Sequence, residues 1–322
     1  MKSFSDGWDW LGMRGGASDV VPRGDILQPL DGFGSNPGNL RGKFYRPTGL
    51  RTGAPLVVVL HGCTQTAEGY DRGSGWSALA DRHGFALLFP EQQRANNPNL
   101  CFNWFAPGDM QRDGGEPESI RQMIDHIARD AAIDQTKIFV TGLSAGGAMT
   151  SVMLATYPDV FAGGAIIAGL PYGGAQSVSQ ALERMRGHGG PSSAALAQLV
   201  RAASEHKGPW PTISIWHGSG DATVNPTNAL ALAAQWQALH DVPLQPNRTD
   251  VVDGYPRNVW LAADGREVIE EFSITGMGHG TPLDPQGIDG CGAAMALMLD
   301  ANISSTTHIA GFWSLIDRPP PA

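Results

Sequence analysis

Six short apolar runs set most of what this chain can fold into. They are Leu56–Leu60, Phe85–Phe89, Lys137–Thr141, Ala165–Ala168, Thr212–Trp216 and Val268–Ile274. Each is strand-sized and rich in β-branched or aromatic residues. Their apolarity is continuous rather than alternating, so both faces of each strand must be covered. Helical patterns lie between them. Ile120, Met123, Ile124 and Ile127 recur at helical spacing after Glu116 and Glu118, whose charge suits a helix start. Leu230, Leu232, Ala233 and Trp236 mark a second helix over Asn228–Leu239. Strands alternating with helices predict an α/β fold, a mostly parallel sheet with helices on both faces.

The chain reads as a single domain over residues 1–322, with no internal repeat and no low-complexity linker. Residues 1–32 read as an N-terminal extension, followed by a short strand near Asn39–Arg46. Residues 172–210 are small, polar and Gly-rich, and read as an insertion in the position of a cap. Residues 255–274 read as a hairpin: Asn258–Leu261, a turn at Ala263-Asp264-Gly265, then Arg266–Ile274, whose second arm is the last core strand.

Charge and cysteine content narrow the function. Acidic residues outnumber basic ones, 31 to 22, for a net charge of -9. A basic nucleic-acid footprint is excluded as a global property. No stretch approaches the roughly 18 to 20 apolar residues of a membrane span. The segment MKSFSDGWDWLGMRGG has no apolar core, so no secretory signal is expected in it. Cys63, Cys101 and Cys291 form neither a CxxC pair nor a zinc-type cluster, so neither metal nor cofactor is expected.

The sharpest motif is Gly142-Leu143-Ser144-Ala145-Gly146, directly after an apolar run and before a helix-compatible one. G-x-S-x-G in that context is a nucleophile elbow, a sharp strand-to-helix turn that lifts the serine hydroxyl above the sheet edge. Acyl transfer then needs two backbone N–H donors for the oxyanion. One is that of Ala145, the residue after the nucleophile. The other belongs in the loop after an earlier strand, where His61-Gly62-Cys63-Thr64-Gln65-Thr66 offers the Cys63 amide. His61 itself reads as scaffold.

Nine histidines compete for the role of base. His83, His126, His188, His206 and His240 fall on expected helices or insertions, and His308 on a late helix-like segment. His217 ends a strand. His279 stands in Gly278-His279-Gly280, directly after the last strand, and is the best base. The orienting acid belongs between nucleophile and base. Asp221 follows the strand ending at Trp216 and is preferred over Asp253 and Asp264. Glu116/Glu118 and Glu270/Glu271 read as a helix start and a solvated strand arm rather than as paired acids.

In combination these residues resemble the polyhydroxybutyrate depolymerase family of esterases, within the α/β-hydrolase superfamily. The resemblance is carried by Phe33–Arg41, Leu60–Gln65, Pro90–Gln92, Cys101–Phe105, Val140–Met149, Trp216–Gly218, Gly278–Gly280 and Ile309–Trp313. It implies an α/β-hydrolase fold and Ser144, Asp221 and His279 as triad. It also implies the Cys63 amide in the oxyanion hole, a Cys63–Cys101 disulfide and Asn103-Trp104-Phe105 near the cleft, with Trp104 as substrate wall. Feruloyl and acetylxylan esterases are relatives. Residues 1–322 contain no linker and no separate polymer-binding domain, so soluble oligomers or short acyl esters are expected beside hydroxyalkanoate polyesters. Alternatives on the same site are plant cell-wall esters and the amide bonds of a polymer. A non-catalytic binder on this fold would be expected to have a broken triad. A Cys63–Cys101 bridge would place the chain in an oxidising compartment, secreted or periplasmic, whereas three free thiols would suit a cytoplasm.

Overall fold

A computed structural model describes residues 26–318, except 131–132 and 288–289. Most of the N-terminal extension expected over 1–32 lies outside the described residues. In chain order the strands and helices are β1 (Gln28–Leu30), β2 (Arg41–Tyr45), β3 (Leu56–Leu60), α1 (Ala67–Ser74), α2 (Trp76–His83), β4 (Ala86–Glu91), α3 (Gly115–Asp130), β5 (Ile138–Leu143), α4 (Ala145–Thr156) and β6 (Gly163–Ile167). They continue with α5 (Val178–Met185), α6 (Ser193–Ala202), β7 (Thr212–Gly218), α7 (Thr227–His240), β8 (Arg248–Val252), β9 (Tyr255–Leu261), β10 (Glu267–Ile274), β11 (Thr281–Leu283), β12 (Met298–Asp300) and α8 (Ser305–Phe312).

The main sheet runs β1-β2-β4-β3-β5-β6-β7-β10-β9-β8. From β4 to β10 the neighbours are parallel, and the pairs at both flanks are antiparallel. The six apolar runs of the sequence are the six parallel strands. Because side chains alternate across a strand, β3 feeds two cores. Leu56, Val58 and Leu60 join the layer of α3, α4, α6 and α7, while Val57 and Val59 join that of α1, α2 and α8. Helices therefore cover both faces, as an α/β-hydrolase fold requires. The hairpin forms with β9 paired antiparallel to β10, and β10 is the last parallel strand, set against β7. The 172–210 span carries α5 and α6, and α6 packs on α7.

One expectation is overturned. Glu270 and Glu271 do not form a solvated arm: they are 2% and 7% exposed. β10 has a strand on each side, so both residues lie inside the sheet layers. Glu270 accepts from Ser214 Oγ at 2.7 Å and from Arg257 Nε at 2.8 Å, and Glu271 accepts from Asn258 Nδ2 at 2.8 Å. Partners on the neighbouring strands make their burial tolerable.

Parallel strands bring their C-terminal ends to one edge. The residues after β3, β5, β7 and β10 therefore share that edge, and with them the His61 loop, Ser144, Asp221 and His279.

Candidate active site

Ser144 sits between β5 and α4 with φ 57° and ψ -115°, a conformation L-residues adopt only under strain. Its amide is held by the Ile167 carbonyl at 2.9 Å. The tight turn needs glycine at two places. A Cβ on Gly142 would lie 2.4 Å from the Gly146 carbonyl oxygen, and one on Gly146 2.3 Å from that of Leu60. The second approach presses the start of α4 against the end of β3. It sets the Ala145 amide, at the first helical position and without an intrahelical acceptor, beside the loop that begins at His61.

That loop is fixed from several sides. Gly62 N donates to Gln65 Oε1 at 2.8 Å, and Thr64 N to the Asn99 carbonyl at 2.7 Å. A disulfide joins Cys63 to Cys101. His61 is 1% exposed; its Nε2 accepts from Gln92 N at 3.1 Å, so its Nδ1 carries the proton toward the Gly62 carbonyl at 2.7 Å. Burial pushes its pKa down, which keeps it a neutral scaffold ring.

Asp221 and His279 meet across the ends of β7 and β10. His279 Nδ1 donates to Asp221 Oδ2 at 2.7 Å. Oδ1 of the same carboxylate accepts from the amides of Thr223 and Val224 at 2.8 and 2.9 Å. The two loops are laced together: Ser219 N donates to Ile274 O at 3.0 Å, Gly220 N to Met277 O at 3.0 Å, and Gly276 N to Ser219 Oγ at 2.9 Å. Burial alone would raise the Asp221 pKa, but hydrogen bonds from His217 and His279 outweigh it and hold the group well below the usual carboxylate range. Asp221 is therefore a fixed anion, its second oxygen on the histidine ring.

His217, the other histidine at this edge, is spoken for. Its Nε2 donates to the Val224 carbonyl at 2.8 Å and lies 3.4 Å from Asp221 Oδ2, while its buried Nδ1 has no partner. It buttresses the acid. No hydrogen bond joins Ser144 Oγ to His279 Nε2, a contact that commonly tightens only when substrate is bound. Ser144 is 9% exposed and the His279 side chain likewise 9%. Trp104 is 6% exposed and packs edge-on against Phe105, with ring centroids 5.3 Å apart. Asp253 belongs elsewhere, accepting from His308 Nε2 at 2.7 Å. Among the described residues no cluster of three His, Cys, Asp or Glu could hold a metal ion.

Sequence reasoning passed over the Thr223 and Val224 amides, read Glu116 only as a helix start, and did not pair it with Gln92. A backbone donor leaves no signature in side-chain chemistry. The burial of Glu116 depends on a loop that folds over it.

Comparison with known proteins gives the family. Residues 42–243, more than half of the chain, match the family described as esterase PHB depolymerase. Poly(3-hydroxyalkanoate) depolymerase C of Paucimonas lemoignei is 48% identical over 292 residues, 90% of this chain and 70% of the relative. An acetylxylan esterase of Coprinopsis cinerea is 30% identical over 81% of this chain and 71% of its own. The solved structure of an acetyl xylan esterase from Aspergillus awamori superposes with TM-score 0.72 at 28% identity, covering 79% of this chain and 93% of that one. The chain belongs to the esterase PHB depolymerase family and is a carboxylic ester hydrolase.

Proposed function

We propose that this esterase works through an acyl-enzyme on Ser144 and acts on hydroxyalkanoate polyesters or their oligomers. The observation that carries the mechanism is the His279–Asp221 hydrogen bond at the sheet edge that bears the strained serine. His279 Nε2 takes the hydroxyl proton as Ser144 Oγ attacks the ester carbonyl. Asp221 holds the proton-bearing Nδ1 and stabilises the imidazolium that forms. The Cys63 and Ala145 amides receive the oxyanion. His279 then protonates the leaving alcohol, activates water, and deacylation returns the free serine. No step calls on a metal or cofactor.

The substrate reading follows the relatives. A depolymerase named for poly(3-hydroxyalkanoate) stands at 48% identity, against 30% for the acetylxylan esterase. Trp104, with Asn103 and Phe105, forms the cleft wall in this reading, and the 172–210 span the cap. The Cys63–Cys101 bridge favours an oxidising compartment, the periplasm or the medium. Among the described residues no helix is long and apolar enough to cross a membrane.

A substrate panel tests this directly: 3-hydroxybutyrate oligomers, a p-nitrophenyl ester series, acetylated xylan and methyl ferulate, with product analysis. Higher kcat/KM on the hydroxybutyrate oligomers supports the reading. Preference for acetylated xylan or methyl ferulate replaces it with a cell-wall esterase on the same site.

A further inference from the structure

Glu116 is a buried carboxyl that the acyl-enzyme mechanism leaves unused. It lies in the first turn of α3 and is 1% exposed. Its Oε1 accepts from Gln92 Nε2 at 2.5 Å and from Asn103 Nδ2 at 2.9 Å, and its Oε2 accepts from the Asn103 backbone amide at 2.9 Å. Three N–H donors on two oxygens suit an anion. A neutral carboxyl would turn its own O–H toward a donor.

Both donor residues lead to the oxyanion loop. Gln92 Nε2 also donates to the Cys101 carbonyl at 3.2 Å, and the Gln92 amide donates to His61 Nε2 at 3.1 Å. Asn103 follows closely on Cys101, which is bridged to Cys63. Thr64 N, next in the chain after Cys63, donates to the Asn99 carbonyl at 2.7 Å. From Glu116 to the Cys63 amide the path is one carboxylate, two amide side chains and one disulfide.

We propose that Glu116 is a positioning residue of the oxyanion hole, its carboxylate setting the Cys101–Asn103 segment and, through the bridge, the Cys63 amide. The inference rests on the Ser144 reading above. A buried anion whose charged neighbour is another carboxylate is expensive, and an apolar side chain in its place would leave three donors unpaired. What the carboxylate adds is a fixed point on which three donors converge.

The ionisable groups around it are accounted for. Asp109, in the turn before α3, accepts from the Glu116 amide at 2.9 Å. Glu91 on β4 is engaged by the Ala67 amide at 2.8 Å. Glu118 accepts from Tyr157 Oη at 2.7 Å and Gln122 Nε2 at 2.9 Å, and His61 is linked to Glu116 through Gln92. Burial first, then the Asp109 charge, push Glu116 up to about 8, against the pull of the three donors. The anion therefore forms as the solution turns alkaline, and the network tightens as it forms.

Glu116→Gln imitates the neutral acid at every pH. In steady-state hydrolysis of p-nitrophenyl acetate, its kcat relative to the parent protein should fall about 5- to 10-fold between about pH 6.5 and 9.5. That is a fraction of what deleting an oxyanion donor costs. The KM ratio should change less than about 2-fold, since binding is not the step affected. Glu116→Asp, which keeps a charge, should restore part of the alkaline rise. Thermal unfolding gives a second reading. A folded value raised to about 8 from 4.5 makes the stabilisation complete below 4.5 and lost as pH rises through 8, so the parent should lose melting temperature relative to Glu116→Gln over that window. A kcat ratio flat across the pH range, or a change confined to KM, overturns the proposal. Ser144→Ala measured in parallel separates the two claims: if it retains full turnover, the nucleophile assignment has failed and the Glu116 proposal falls with it, whereas lost turnover in Ser144→Ala beside a flat Glu116→Gln ratio overturns the Glu116 proposal alone.

Discussion

His279 Nδ1 lies 2.7 Å from Asp221 Oδ2, and Asp221 Oδ1 is already taken by two backbone amides. Asp221 thus has one oxygen for the protein backbone and one that faces His279, with His217 Nε2 also 3.4 Å away. That division makes Asp221→Asn informative. Its oxygen can keep the Thr223 and Val224 amides, and its Nδ2 then offers an N–H to His279. The ring must accept at Nδ1 and carry its proton on Nε2, where it cannot act as base. kcat should fall by about three to four orders of magnitude with the fold retained. A loss below about 10-fold in a folded variant would show that Asp221 does not orient the base.

The Cys63–Cys101 bridge closes a loop across 38 positions, and Cys291 is buried and free. Thiol titration of the unfolded, unreduced protein should find one reactive thiol, rising to three after reduction. Three before reduction would remove the bridge. In the chain-entropy picture, replacing both bridged cysteines by serine should cost about 3 to 4 kcal/mol of stability. If the Cys63 amide serves the oxyanion as proposed, turnover should also fall, because its loop loses a tie.

Acid stability should depend on Glu267. Burial pushes its pKa up, but hydrogen bonding to Arg248 and the charges of Arg257 and Arg318 prevail and set it near about 2, below the ordinary 4.5. A lowered folded value means stabilisation that is whole above pH 4.5 and lost as pH falls toward 2. Glu267→Gln should cost about 2 kcal/mol at neutral pH, and the gap should close on acidification through that window. Urea denaturation at a series of pH values measures it. A gap independent of pH would mean that the arginines do not act through the Glu267 charge.

Much of this molecule was legible because it rests on local rules. The parallel strands announce themselves as runs such as Leu56–Leu60, and the elbow as a glycine pattern that the backbone cannot do without. Gln28–Leu30 and Arg248–Val252 escaped, since short, half-polar flanking strands carry no continuous apolarity. Helix α1 escaped because Gly69 and Gly73 interrupt its pattern, whereas α2 was legible only as the helix that carries His83, without bounds. Glu270 and Glu271 were misread for a different reason. Their partners, Arg257, Ser214 and Asn258, lie on other strands, and strand order is not written in any one segment. The position of Glu116 as first-turn acid was legible. Its burial, under Gln92 and Asn103 and against Gly38, was not.

The central claim is that Ser144 is the nucleophile. Reaction with diethyl p-nitrophenyl phosphate, followed by peptide mapping by mass spectrometry, tests it most directly. The account predicts one phosphoryl group per chain, on the peptide containing Ser144, with esterase activity lost in proportion to labelling. Full labelling of Ser144 with activity retained, or inactivation with the label on another residue, would contradict it.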